Sequence, residues 1–109
     1  MPLRLPEPLA AYFAAIDTHN IDAMLASFAD GAIVRDEGQE RRGLAAIREW
    51  MDETVRKYHF QVAVKDVTEV NAQLVVIGRV SGTFPGSPVD LRYFFTLDAD
   101  QITRLEIVP

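Results

Sequence analysis

Apolar positions recur at helical spacing through the first half of the chain and alternate, as in strands, through the second. Leu5, Leu9, Tyr12, Phe13 and Ile16 form one helical face behind Pro6-Glu7, where an early proline sacrifices no hydrogen bond. Asn20 breaks that pattern and is placed to cap a second helix with Ile21, Met24, Leu25 and Phe28 on its apolar face, ended by Asp30-Gly31. Residues 32–36 read as a short strand, followed by a polar turn at Glu37-Gly38-Gln39. Gly43 precedes a third helix with Ile47, Trp50, Met51, Val55 and Tyr58 inward. From there the period is two. Residues 60–70 alternate with a phase slip near Lys65-Asp66 that predicts a bulge. Residues 74–84 follow a turn at Asn71-Ala72, and Pro85-Gly86-Ser87-Pro88 is a strong turn signal. Val89, Leu91, Tyr93, Phe95 and Leu97 share one face of the next strand, and Asp98-Ala99-Asp100 turns the chain into a last strand over 102–108.

The predicted order is α-α-β-α-β-β-β-β: an α+β fold with three N-terminal helices packed on a curved, mostly antiparallel sheet. The chain has 109 residues, 49 % of them hydrophobic and 25 % charged, which is material for one core and one domain spanning 1–109. The net charge of −5 runs against a phosphate-backbone binder. Arg35, Arg41, Arg42 and Arg48 alternate with Asp36, Glu37, Glu40 and Glu49, so nucleic acid is not an expected partner. Without cysteine there are no disulfides or thiolate metal sites. Met1-Pro2-Leu3-Arg4-Leu5-Pro6 lacks the apolar core of a signal peptide, and no run reaches the ~20 apolar residues of a membrane span. Cytoplasm is the expected compartment, with no membrane partner. Phe94, with Val76 and Val80 or their neighbours, is expected to leave apolar groups on the outer sheet face, where a second copy would pair to make a homodimer.

Tyr12-Phe13-Ala14-Ala15-Ile16, Phe28-Ala29-Asp30-Gly31-Ala32, Val34-Arg35-Asp36, Gly43 and Ala45-Ala46-Ile47-Arg48-Glu49-Trp50 together resemble the SnoaL-like and ketosteroid isomerase branch of the nuclear transport factor 2-like superfamily. The resemblance is strong over 6–58 and compatible in strand order over 59–109. It implies a cone-shaped fold with a pocket between the helices and the concave face of the sheet. One fold hosts many reactions: isomerases, cyclases, dehydratases, epoxide hydrolases and binding domains share this cone. Carried over by position, the resemblance implies Tyr12 as donor to a substrate oxygen and Asp36 as general base. The late-strand acid of the isomerases falls on Tyr93, so the second acid is absent, and the hairpin after Asp36 is shorter than theirs.

The residues themselves support two readings of Asp36. Side chains two apart on a strand share a face, so if Val34 points inward, so does Asp36. An inward carboxylate among aromatic rings is desolvated and pushed toward general-base territory. Equally, Asp before Glu37-Gly38 is placed to cap a turn. A buried Tyr12 needs a hydroxyl partner, either a ligand or a backbone carbonyl. Tyr93 is either a second donor to the same place or a packed strand aromatic. Phe13, Ile16, Phe28, Trp50, Met51 and Tyr58 are the expected walls, although residues at that spacing also make plain core. His19 and His59 have no ligand partners at metal spacing and are expected to be solvated. Arg41 and Arg42 could reach a ligand carboxylate at the pocket rim, but a solvated charge pair is the expectation for both.

Two functions follow. One is an enzyme needing neither metal nor cofactor, an isomerase or aldol-type cyclase, acting on a small apolar carbonyl or hydroxyl compound with Asp36 as base and Tyr12 as oxyanion donor. The other is a binding or accessory module with the same cavity and no chemistry; a filled core without a cavity would instead point to a dimerisation domain.

Overall fold

The computed structural model describes residues 5–109, so the reading of Met1–Arg4 lies outside the described residues. Helix α1 (Glu7–Asp17) opens with proline in its first turn, and α2 (Ile21–Leu25) is capped by Asn20, whose Oδ1 accepts from the Ala23 N–H at 3.1 Å. Strands β1 (Phe28–Asp36) and β2 (Gln39–Arg42) form a hairpin ahead of α3 (Gly43–Tyr58). Strands β3 (Gln61–Val70), β4 (Gln73–Ser81), β5 (Val89–Asp98) and β6 (Gln101–Val108) complete the chain. One six-stranded sheet has the order β2-β1-β6-β5-β4-β3. All its pairings are antiparallel except β1 with β6.

Several elements differ from the sequence expectation, and the strand expected over 74–84 ends at Ser81, where the chain bends into the β4–β5 connection. Phe28 fits the i+7 position of the second helix but starts β1, since the helix ends at Leu25 and the chain is already extended at Phe28. Strand β2 is an added element: four polar residues carry no apolar alternation, and pairing with β1 alone makes them a strand. Glu37 and Gly38 both have positive φ (53° and 75°) and link Asp36 directly to its partner Gln39. This is the geometry of a two-residue primed turn, whose twist matches the strands it joins. The phase slip near Lys65-Asp66 is a register shift between Val64 and Asp66.

The core lies between the helices and the concave sheet face. Leu9, Tyr12, Phe13 and Ile16 of α1 meet Phe95, Ile102 and Leu105, all at most 5 % exposed. Val76 and Val80 point inward (0 % and 6 % exposed), contrary to expectation. Their neighbours Val75 and Ile77 lie with Phe94 on the other face, half-buried and outside the core cluster. Among the described residues, no helix is long and apolar enough to cross a membrane.

Candidate active site

Between α3, the sheet and the β4–β5 connection the core does not close. A cavity of about 690 Å³ opens there, within the usual range for small-molecule sites. Asp36, at the end of β1, lines it together with Tyr12 of α1, Trp50 and Tyr58 of α3 and Tyr93 of β5. Val34 is fully buried, and Asp36, two residues on, lies on the same side. Its Oδ2 accepts a hydrogen bond from the Trp50 indole N–H at 3.0 Å. Burial pushes the Asp36 carboxyl above the ordinary carboxylate range, and the neighbouring Glu37 charge adds to that. The Trp50 N–H, the Glu37 backbone N–H and the Arg41 guanidinium pull it back, without cancelling the rise. Asp36 therefore belongs both to the turn and to the cavity.

Tyr12 and Tyr93 are 2 % and 3 % exposed. Their rings sit in a cluster of edge contacts. Tyr12 meets Phe28 at 5.5 Å and Phe95 at 6.0 Å, and Tyr93 meets Phe13 at 5.4 Å. Among the described residues neither hydroxyl has a hydrogen-bond partner, yet neither is sealed away as a buried unsatisfied group. Both residues line the cavity, so these hydroxyls are donors left available to whatever occupies it. Burial raises both phenol pKa values; Tyr93 and then Asp36 add to the rise at Tyr12, and Asp36 adds to it at Tyr93. They are thus neutral donors across the useful pH range. Gly78 makes room for this: a Cβ there would lie 3.0 Å from Tyr93 Cε1 and 2.7 Å from Val62 Cγ1.

Trp50 and Tyr58 of the expected walls line the cavity, as does Tyr93. Phe13, Ile16, Phe28 and Met51 do not; they are 0–5 % exposed within the packed core beside it. The remaining wall comes from Thr54, Phe60, Val80, Phe84, Leu91 and Ile107, with Pro85, Val89 and the segment after Ile107 at the edge. Alternation marked Leu91 as inward, but nothing in the sequence placed Phe60 and Phe84 over the same space. At the mouth, the Tyr58 hydroxyl donates to Glu37 Oε1 at 3.1 Å, and the Tyr58 ring meets Phe84 edge-on at 5.7 Å. The Thr83 N–H and hydroxyl both donate to the Tyr58 carbonyl, at 2.7 and 3.1 Å, which fastens the β4–β5 connection to the end of α3.

His19 is half-buried rather than solvated. Its Nε2 lies 2.7 Å from the Phe60 carbonyl oxygen, so that nitrogen carries the proton. His59 is exposed in the left-handed residue ending α3. Arg41 is held by Gln39 at 3.0 Å and lies 3.7 Å from Glu53, and Arg42 pairs with Glu40 at 2.9 Å. Among the described residues, no three metal-binding side chains cluster.

The family model of the SnoaL-like domain matches residues 9–105, and the chain belongs to that family. It is 36 % identical to a candidate polyketide cyclase from Sinorhizobium meliloti, covering 95 % of each chain with a TM-score of 0.91. A Catenulispora acidiphila protein with a ketosteroid isomerase-like fold, solved with trimethylamine, is 18 % identical over 97 % of this chain and 87 % of its own (TM-score 0.83). The epoxide hydrolase/cyclase-like enzyme SalBIII, of pyran ring formation in polyether salinomycin, is 20 % identical over 93 % and 86 % (TM-score 0.80). No curated protein matches the chain in sequence. The last two likenesses establish the nuclear transport factor 2-like cone fold alone.

Proposed function

We propose that this SnoaL-like chain is an isomerase or cyclase that abstracts a proton next to a carbonyl in a small, largely apolar molecule. The observation that carries the reading is a desolvated carboxylate facing the same apolar cavity as two phenols that have no hydrogen-bond partner among the described residues. Trp50 donates to Asp36 Oδ2, and Oδ1 serves as the basic oxygen. That oxygen takes the proton from the carbon beside the carbonyl, and the electron pair moves onto the carbonyl oxygen. Tyr12 and Tyr93 donate hydrogen bonds to the resulting enolate. From there, protonated Asp36 returns the proton to another carbon conjugated with the enolate, which is isomerisation, or the enolate carbon attacks a second carbonyl, whose oxygen takes the proton back from Asp36, which closes a ring. No step draws on a group outside the chain and its substrate. Two neutral phenol donors stand where the isomerases pair a phenol with an acid, the same logic of a neutral group kept protonated by burial.

The test is a carbon-detected NMR titration of Asp36 with and without a phenolic oxyanion analogue. A carboxyl titrating above its ordinary value of ~3.9 and shifting when the analogue binds is the expected result. An ordinary value with no response would leave the non-catalytic binding-module reading in its place.

The same proposal takes residues 1–109 as one domain working as a homodimer. Val75, Ile77 and Phe94 form the apolar centre of the outer sheet face that a second copy would cover. Light scattering at micromolar concentration should return twice the 12.2 kDa chain mass, and a monomer would reject the dimer.

A further inference from the structure

The charges around the cavity are one-sided. Asp36 and Glu37 supply two carboxylates, and among the described residues no lysine, arginine or histidine lines it. Two cations reach these carboxylates from outside the lining, and one of them, Lys57, already sits against the Tyr58 ring, where a ligand's cation would compete with it. Arg41 is held by Gln39 and Glu53. The exposed Lys57 ammonium lies 5.1 Å from the centre of the Tyr58 ring. Much of the wall is aromatic: Tyr12, Trp50, Tyr58, Phe60, Phe84 and Tyr93.

The reaction proposed above adds no negative charge to this space. Proton transfer moves one from the Asp36 carboxylate to the substrate oxygen, so a negative charge is present throughout, with Glu37 beside it. A ligand bringing its own carboxylate or phosphate would add a like charge in a partly desolvated site. A ligand bringing a cation would offset the charge already there, and ring faces attract ammonium groups through their electron-rich centres. The mouth combines both features. The Tyr58 hydroxyl is bonded to Glu37, and the Tyr58 ring is packed edge-on against Phe84.

We propose that the ligand carries a protonated or quaternary amine at the end facing Glu37, Tyr58 and Phe84, and its carbonyl or hydroxyl at the inner end. The inference rests on the preceding reading for that inner end. Three phenols that differ in one substituent test it: meta-trimethylammoniophenol, meta-tert-butylphenol, which has the same shape without charge, and meta-hydroxybenzoate. Binding is followed by calorimetry and by the Asp36 carboxyl carbon signal. The ammonium compound should bind about tenfold more tightly than the tert-butyl compound, with the benzoate weakest. Glu37→Gln should remove most of that preference, and Lys57→Gln should keep or widen it. Equal or tighter binding of the tert-butyl compound, or a preference unchanged by Glu37→Gln, overturns the proposal. If the neutral phenol moves the Asp36 signal but the ammonium gains nothing, the charge inference fails and the base reading stands. If the ammonium is preferred through Glu37 while Asp36 stays silent, the base reading fails and the charge inference stands. Absence of binding by all three at millimolar concentration overturns both.

Discussion

The packed aromatic cluster around Phe95 and the cavity beside it use the same residue types to opposite ends. In the cluster, Phe13 meets Phe95 edge-on, Phe28 meets Tyr12 edge-on and Phe95 stacks on Tyr93, and every ring is at most 5 % exposed. In the cavity, Trp50, Phe60 and Phe84 face unfilled space. The cavity walls forgo dispersion contacts that the cluster makes, and Asp36 sits among them above its ordinary pKa. Tyr12 and Tyr93 belong to both regions, their rings in the cluster and their hydroxyls toward the cavity. The lesson is a division of labour: one end of the cone holds the fold, and the other is kept open at a cost in stability.

Changes in the two regions should therefore separate stability from turnover. The largest effect expected is on Asp36→Asn, which should lower kcat by about 10²–10⁴-fold while raising Tm at neutral pH. The folded-state pKa of Asp36 is raised, so its stabilising contribution is full below the ordinary carboxylate pKa and is lost as pH rises through the raised value. The asparagine avoids that loss, and scanning calorimetry should find the gain in Tm fading toward pH 3. For the same reason, wild-type turnover should rise with pH through the raised value and then level off. A lower Tm for Asp36→Asn at neutral pH would break the division, because Asp36 would then be holding the fold.

Phe95→Ala is the mirror experiment in the closed region. It removes a fully buried ring from the cluster and should cost about 3–5 kcal/mol in urea unfolding. If a temperature exists at which the variant stays folded, its remaining turnover per folded molecule should be much closer to wild type than that of Asp36→Asn.

Tyr12→Phe has the smallest effect on stability and sharpens the comparison most. The ring stays in the cluster, and the lost hydroxyl has no protein partner among the described residues. Unfolding free energy should change by less than about 1 kcal/mol, while kcat falls by about a hundredfold. Loss of stability with turnover intact would assign the hydroxyl to the fold instead.

The sequence was informative wherever a period carries the signal. The inward faces of α1 and α3 follow from residues three and four apart, and Tyr93 and Phe95 from residues two apart. The Val64–Asp66 bulge is visible as a broken alternation. Periodicity assigns a side but not a depth. It could not say that Phe13 and Met51 are enclosed while Phe60 and Phe84 face open space, because that depends on where the helices stop covering the sheet. Strand β2 was invisible since Gln39–Arg42 are extended by pairing and not by their own pattern. The Trp50 bond to Asp36 joins two elements across the cone, and no local rule reports it.

The parallel pairing of β1 with β6 also sets an order of events during synthesis. Asp36 lies opposite Ile107 in that register, so the strand carrying it waits for a neighbour made about seventy positions later. A nascent chain leaving the ribosome thus exposes its α1, β1 and α3 segments well before the strand that joins them to the rest of the sheet has emerged. Contacts so distant along the chain are slow to form and make folding a late, concerted step. Ile107 and Val108 of β6 arrive with that same step, so a partly made chain lacks that part of the cavity wall.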